Sequence, residues 1–223
     1  TLKRGDKKLI NGWAMYDWAN SVYSLTIASA VFFPYYSSVT SKEVDAFGRT
    51  YDSSALYTYA VSASFLIIAF ISPLLSSIAD YQRNKLFFMK CFCYLGAGSC
   101  AALYFYEGQN IYMAIVPFVL AGIGFCGSLV FYNAFLPEIA FEHEQDKVSA
   151  KGFALGYIGS VLLLIFNLVM IQKPEWFGIS DALLPAKISF LTVGLWWAFF
   201  AQITYRALSS FHKGYNSKST HRE

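Results

Sequence analysis

Six long stretches of this chain carry no charged side chain, and that pattern constrains the fold more than any single motif. Counted between consecutive Asp, Glu, Lys and Arg, the uncharged runs are 24 residues (18–41), 27 (53–79), 16 (91–106), 30 (108–137), 21 (152–172) and 18 (188–205). A helix needs about 20 mostly apolar residues to cross roughly 30 Å of hydrocarbon. Five runs meet or approach that length as they stand. The third extends back to Leu86 if Lys90 reaches its ammonium to the headgroups. Six membrane-spanning helices are predicted, at 13–36, 55–79, 86–106, 111–135, 152–171 and 187–207. Only 14% of the residues are charged, against about 25% in soluble domains, which excludes an ordinary soluble domain.

The first apolar segment is too long for a secretory signal peptide and lacks a small-residue cleavage site, so it is expected to stay in the protein. Orientation follows from the 17 Lys and Arg residues. With a cytoplasmic N-terminus, 13 of them face the cytoplasm and 4 (Lys42, Arg49, Lys173, Lys187) the other side, as the positive-inside bias demands. The expectation is an all-α membrane protein with both termini inside: residues 1–12 a cytoplasmic segment, 13–208 a six-helix bundle, 209–223 a cytoplasmic tail or the start of a central loop. Its surroundings are the lipid bilayer of a bacterial inner membrane or a vacuole-type membrane. No basic stripe lies outside the membrane-flanking loops, so no nucleic-acid partner is expected. Cys91, Cys93, Cys100 and Cys126 all fall in predicted spans, which suits buried thiols rather than a disulfide framework.

Polar side chains at membrane depth are costly, so each is a functional candidate with helix packing as its rival. In the first span, Asp17, Asn20, Ser21 and Ser24 fall within about 100° of arc on a helical wheel, with Tyr16 and Tyr23 at its flank. That stripe predicts a substrate or ion cavity built on Asp17, Asn20, Tyr23 and Ser24. The plainer alternative for Asp17 is an ion pair with a nearby lysine. In the fifth span, Gly152, Gly156 and Gly159 share a face with Asn167, a pattern that lets helix backbones approach closely and places Asn167 as an interhelical hydrogen bonder. Pro73 and Pro117 each remove a helical donor and are candidate kinks.

Two decoys are set aside. Gly122-Ile-Gly124-Phe-Cys-Gly127 fits the dinucleotide-binding spacing but lies inside a charge-free run with no preceding strand, so helix packing is the better reading. Glu142-His143-Glu144 lies on an acidic loop and reads as surface, leaving no metal and no cofactor implied. With His143, His212 and His221 all outside the spans, no catalytic constellation is visible, and the chain reads as a non-enzyme.

The turn after span two reads Ser76-Ser-Ile-Ala-Asp80-Tyr-Gln-Arg83-Asn-Lys85. Six spans with this acidic-then-basic turn resemble the N-terminal half of a major facilitator superfamily transporter, with Ser76 where that family's turn usually has glycine. Three further segments, Tyr16-Asp-Trp-Ala-Asn-Ser21, Tyr132-Asn-Ala-Phe-Leu-Pro-Glu138 and Gly152-Phe-Ala-Leu-Gly156-Tyr-Ile-Gly159-Ser160, resemble the branch related to fungal vacuolar amino-acid effluxers, the "unknown major facilitator" group of prokaryotes. The resemblance implies a 3+3 inverted repeat and a secondary transporter working by alternating access, exporting amino acids or similar small solutes. It also implies a cytoplasmic gate from Asp80, Arg83 and Lys85, with Glu138 and Lys151 as charged neighbours. The superfamily has about twelve spans, so the implied partner is a missing C-terminal six-helix half or a second copy of the chain, and a fragment is the favoured reading. A non-transporting membrane scaffold, with the polar stripe as packing glue, is the competing class.

Overall fold

A computed structural model describes residues 2–81 and 84–219, with the side chains of 79–81 and 212–219 left out of the description. Helix α1 (Lys7–Val22) runs into a π-helical stretch (Tyr23–Val31) and then α2 (Phe32–Val39). A hairpin of β1 (Glu43–Ala46) and β2 (Arg49–Asp52) follows. The remaining helices are α3 (Ser53–Tyr81), α4 (Lys85–Ala102), α5 (Tyr112–Asn133), the short α6 (Leu136–Ile139), α7 (Gln145–Gln172) and α8 (Leu184–Ser219).

Among the described residues, five helices are long and apolar enough to cross a membrane: Ser53–Ile78, Lys85–Phe105, Tyr112–Ile139, Glu142–Gln172 and Leu184–Phe211. Each overlaps one of the spans expected from the charge-free runs, to within one residue or extending beyond it. The first expected span is also helical throughout, but its ladder changes register between Tyr23 and Val31. Pro34 gives a physical reason, because it has no N–H to return to the Ala30 carbonyl and its ring crowds that carbonyl. The wider π pitch just upstream absorbs the mismatch, and the Ser29 hydroxyl donates 2.8 Å to the carbonyl of Ser24, five residues back. Pro73 and Pro117, the candidate kinks, sit inside continuous α-helices.

The fold is helical as expected, apart from one short hairpin that the charge pattern does not indicate. Ala46 pairs with Arg49, so the turn is the two residues Phe47 (φ 51°) and Gly48 (φ 75°). Two left-handed residues make the primed turn whose twist suits a tight hairpin. The Phe47 N–H donates 2.8 Å to the Tyr112 hydroxyl, tying the hairpin tip to the first residue of α5.

Helix α1 packs on α7 and α8, α8 packs on α4, α4 on α5, and α5 on α3. The tightest approaches are made by glycine. A Cβ on Gly124 of α5 would lie 2.4 Å from the Gly96 nitrogen of α4, so these backbones touch because neither residue has a side chain. The nucleotide-like glycine spacing is therefore helix packing, as expected. Large aromatics fill the interior, including Trp13, Tyr16, Phe131, Tyr132 and Trp197. Helices α3 and α7 are the least covered, with 11% and 33% of their spanning windows buried, against 39% for both α4 and α8 and 50% for α5. Phe65, Leu66, Phe70 and Leu74 of α3, and Ile158, Leu162, Ile165 and Phe166 of α7, point outward. Apolar surface on that scale suits a hydrocarbon environment.

All four cysteines are free; Cys93 and Cys100 are buried and Cys126 half-buried, but Cys91 is exposed on the outside of α4. The expectation of four buried thiols fails there because Cys91 and Cys93, two apart, cannot share a helix face. The ammonium of Lys90 lies over the Tyr205 ring, 5.2 Å from its centroid.

Candidate functional site

Two sets of contacts define the ends of the bundle. At the end carrying the start of α1, the Arg4 guanidinium donates to the Ala140 carbonyl at 3.2 and 3.0 Å, and the Gly5 N–H donates to the Ile139 carbonyl at 2.8 Å. At the opposite end, the Tyr36 hydroxyl donates 2.9 Å to the Ser53 carbonyl, and Lys187 pairs with Glu107 at 2.6 Å.

Between α1, α5 and α7 lies a cleft of about 260 Å³. Its polar lining includes Asp17, Asn20, Ser21, Ser24, Asn133, Ser149 and Ser160, and its aromatic lining Trp13, Phe125, Tyr132, Phe153 and Tyr157. These come from the middle and end of α1 and the start of the π stretch, the late part of α5 and roughly the first half of α7, so the cleft lies in the half of the bundle toward the Arg4 end. Asp17 is buried, and its Oδ2 accepts a 2.9 Å hydrogen bond from the Tyr132 hydroxyl. Trp13 fixes Tyr132 twice: its indole N–H donates 3.0 Å to the Tyr132 carbonyl, and the two rings stack with centroids 4.1 Å apart. Among the described residues, no basic side chain forms an ion pair with Asp17.

The glycine stripe of α7 is what lets α1 approach. A Cβ on Gly152 would stand 2.4 Å from Asp17 Oδ2 and 3.0 Å from the Tyr132 hydroxyl; one on Gly156 would meet Ser21 Oγ at 2.6 Å, and one on Gly159 the Trp18 ring at 2.9 Å. A side chain at Gly152 would displace the carboxylate from its hydroxyl partner. Further along α7, Asn167 is fully buried, and the Thr192 hydroxyl of α8 lies 3.0 Å from its Oδ1.

The structure thus brings Asp17, Asn20 and Ser24 to one cleft and sends Tyr23 elsewhere. Tyr23 is not among the cleft-lining residues and is buried against Phe125 of α5 and Trp197 of α8, with centroids at 5.1 and 6.2 Å. The other proposed cluster also divides. Lys85, at the start of α4, pairs with Glu138 of α6 at 2.6 Å and is largely buried. Lys151 instead donates to the Asn11 side chain of α1. Arg83 and the Asp80 side chain lie outside the described residues. No group of three His, Cys, Asp or Glu able to hold a metal occurs among the described residues.

Tyr132 and Trp13, which orient Asp17, are not among the residues singled out from sequence as site residues. Tyr132 stands in the quoted segment Tyr132–Glu138, but nothing in sequence spacing joins it to a carboxylate 115 positions away.

Five helices long and apolar enough to cross a membrane among the described residues define a multi-pass integral membrane protein. The chain matches the vacuole effluxer Atg22-like family over residues 5–146 and 141–221, and it belongs to that family. It is 33% identical over 210 residues to the uncharacterized MFS-type transporter YxiO of Bacillus subtilis (strain 168), covering 93% of this chain and 47% of that protein. It is 29% identical over 170 residues to an uncharacterized protein of Aquifex aeolicus (75% of this chain, 40% of that one). It is 28% identical over 176 residues to autophagy-related protein 22 of Pichia angusta (69% and 31%). The chain spans less than half the length of these relatives. No solved structure gives a significant match.

Proposed function

We propose that the chain is the N-terminal half of a secondary transporter that moves small solutes, amino acids among them, by alternating access through the Asp17 cleft. The observation that carries this reading is a buried carboxylate facing a polar cleft, with a tyrosine hydroxyl as its partner and no described cation paired with it. A residue that served only to brace the bundle would be expected to satisfy its charge with a lysine, as Glu138 does.

The reading includes six crossings, with α1, the π stretch and α2 as the first, both termini cytoplasmic, and a 3+3 inverted repeat. The helix pairings support the repeat. If the first three crossings exchange with the last three, the α1–α7 contact maps onto α5–α3, and α1–α8 onto α5–α4, while α4–α8 maps onto itself. Those are the principal helix pairs. The coverage of the helices follows the same exchange, since α3 and α7 are the barest and α4 and α8 are equally covered. The outward apolar faces of α3 and α7 then meet lipid or the other half of the transporter. Lys85 with Glu138, joined by Asp80, Arg83 and the neighbouring Lys151, forms the cytoplasmic gate of this reading, holding one conformation closed until the halves rock.

Alternating access is tested by replacing Ser24 with cysteine in a variant of the complete two-half protein lacking all its native cysteines, embedded in sealed vesicles. A membrane-impermeant thiol reagent is expected to label it from both sides, at rates that solute shifts in opposite directions. Labelling from one side only, insensitive to every solute, would favour a static scaffold.

A further inference from the structure

We infer that the cleft contains a subsite for a protonated amine, with Asp17 as counter-ion and Asn20 as an adjacent donor; this rests on the transport reading above and names which chemical group of the solute this half would hold. Asp17 is 8% exposed and Asn20 fully buried. Among the described residues the carboxylate has one hydrogen-bond partner, the neutral Tyr132 hydroxyl at 2.9 Å. Among the described residues the Asn20 amide nitrogen has no hydrogen-bond partner, while its oxygen lies 3.4 Å from the Ser21 hydroxyl. A buried anion and a buried free donor both call for a ligand, because each is costly without one.

The chemistry of the walls selects the kind of ligand. Among the described residues no Lys or Arg lines the cleft, so an anionic group would meet only a carboxylate of its own sign. A volume of about 260 Å³ is much larger than the ~30 Å³ share of one water, leaving room for an organic molecule. The aromatic rings of Trp13, Tyr132, Phe153 and Tyr157 offer π faces of the kind that attract ammonium groups. A small metal ion would instead ask for a cage of oxygens. Asn20 lies one turn from Asp17, and its free N–H bonds suit an acceptor a few ångströms from the amine, such as a hydroxyl or carbonyl.

The test uses three probes of one skeleton, phenethylammonium, 3-phenylpropionate and 2-phenylethanol, titrated calorimetrically into the chain in lipid nanodiscs at neutral pH. The expected result is that the ammonium binds at least tenfold more tightly than the other two, and that Asp17→Asn removes the preference. Should that variant not fold, Ser24→Lys, which brings a competing ammonium to the cleft while leaving Asp17 in place, is expected to weaken the amine at least tenfold. Equal binding of the three probes, a preference for the anion, binding of none, or a preference insensitive to both substitutions would overturn the subsite. Competition by sodium alone, with no amine effect, would also overturn it. Solute flux by the complete protein is a separate measurement, so a transporter without the amine preference would sink the subsite and leave the transport reading standing.

Discussion

The hydroxyl of Tyr132 donates 2.9 Å to Oδ2 of Asp17, and this bond joins α5 to α1 beneath the α7 backbone. A hydrogen bond to an ionised group contributes about 1.5–3 kcal/mol. Tyr132→Phe keeps the ring stacked on Trp13 but removes the donor, so it is expected to destabilise the protein by up to about that amount. Asp17→Asn keeps an acceptor and should cost less. Thermal unfolding in detergent ranks the two, and the reverse order would show that the hydroxyl is not what holds Asp17.

Glycines of similar helical context are predicted to behave oppositely. A Cβ at Gly152 would lie 2.4 Å from Asp17 Oδ2, whereas one at Gly98 would meet nothing within 4 Å. Gly152→Ala is expected to destabilise by roughly 1–3 kcal/mol through overpacking. Gly98→Ala is expected to stabilise by roughly 0.5–1 kcal/mol, the helical difference between the two residues. Equal effects in a melting comparison would contradict the close α1–α7 contact.

Lys85 and Glu138 make a partly buried pair at 2.6 Å, with side chains 13% and 36% exposed. Reversing either charge leaves two like charges in contact, and reversing both restores an attraction. Lys85→Glu and Glu138→Lys should each lower the melting temperature, and the double variant should recover part of the loss. A double-mutant cycle is expected to give a coupling of roughly 1 kcal/mol, the upper range for solvent-exposed pairs. Additive losses would mean that the two charges act independently.

Gly48 holds φ 75° at the tip of the β1–β2 hairpin. The left-handed region costs a side-chain-bearing residue roughly 1–2 kcal/mol, so Gly48→Val is expected to loosen the hairpin and speed proteolysis between residues 42 and 52. An unchanged cleavage rate would argue against the tight two-residue turn.

The spanning helices were legible because hydrocarbon excludes charge over a fixed length, and a run of uncharged residues records that directly. Their ends were less legible. Helix α1 begins at Lys7 rather than near Trp13, since lysines can be helical once outside the apolar layer. The hairpin escaped notice because its strands are four residues each and dense in charge, and its turn signal is a single Phe-Gly pair. The register change at Tyr23–Val31 leaves no mark in hydropathy. At the site, the helical wheel grouped Asp17, Asn20 and Ser24 because they share one helix face, a property local to one segment. It could not separate Tyr23 from them, because whether a flanking residue faces a cleft or a neighbour depends on the helices packed beside it. Tyr132, Trp13 and the Lys151–Asn11 contact depend on chain segments more than a hundred residues apart, which no spacing encodes.

The central claim, that Asp17 works in solute movement rather than in bracing the bundle, is tested most directly by flux. Proteoliposomes carrying the complete two-half protein would be loaded with a mixed amino-acid pool and followed for exchange, comparing the native sequence with Asp17→Asn at matched reconstitution and matched melting temperature. The account predicts that the substitution lowers exchange at least tenfold while the protein stays folded. Undiminished exchange in Asp17→Asn would contradict it.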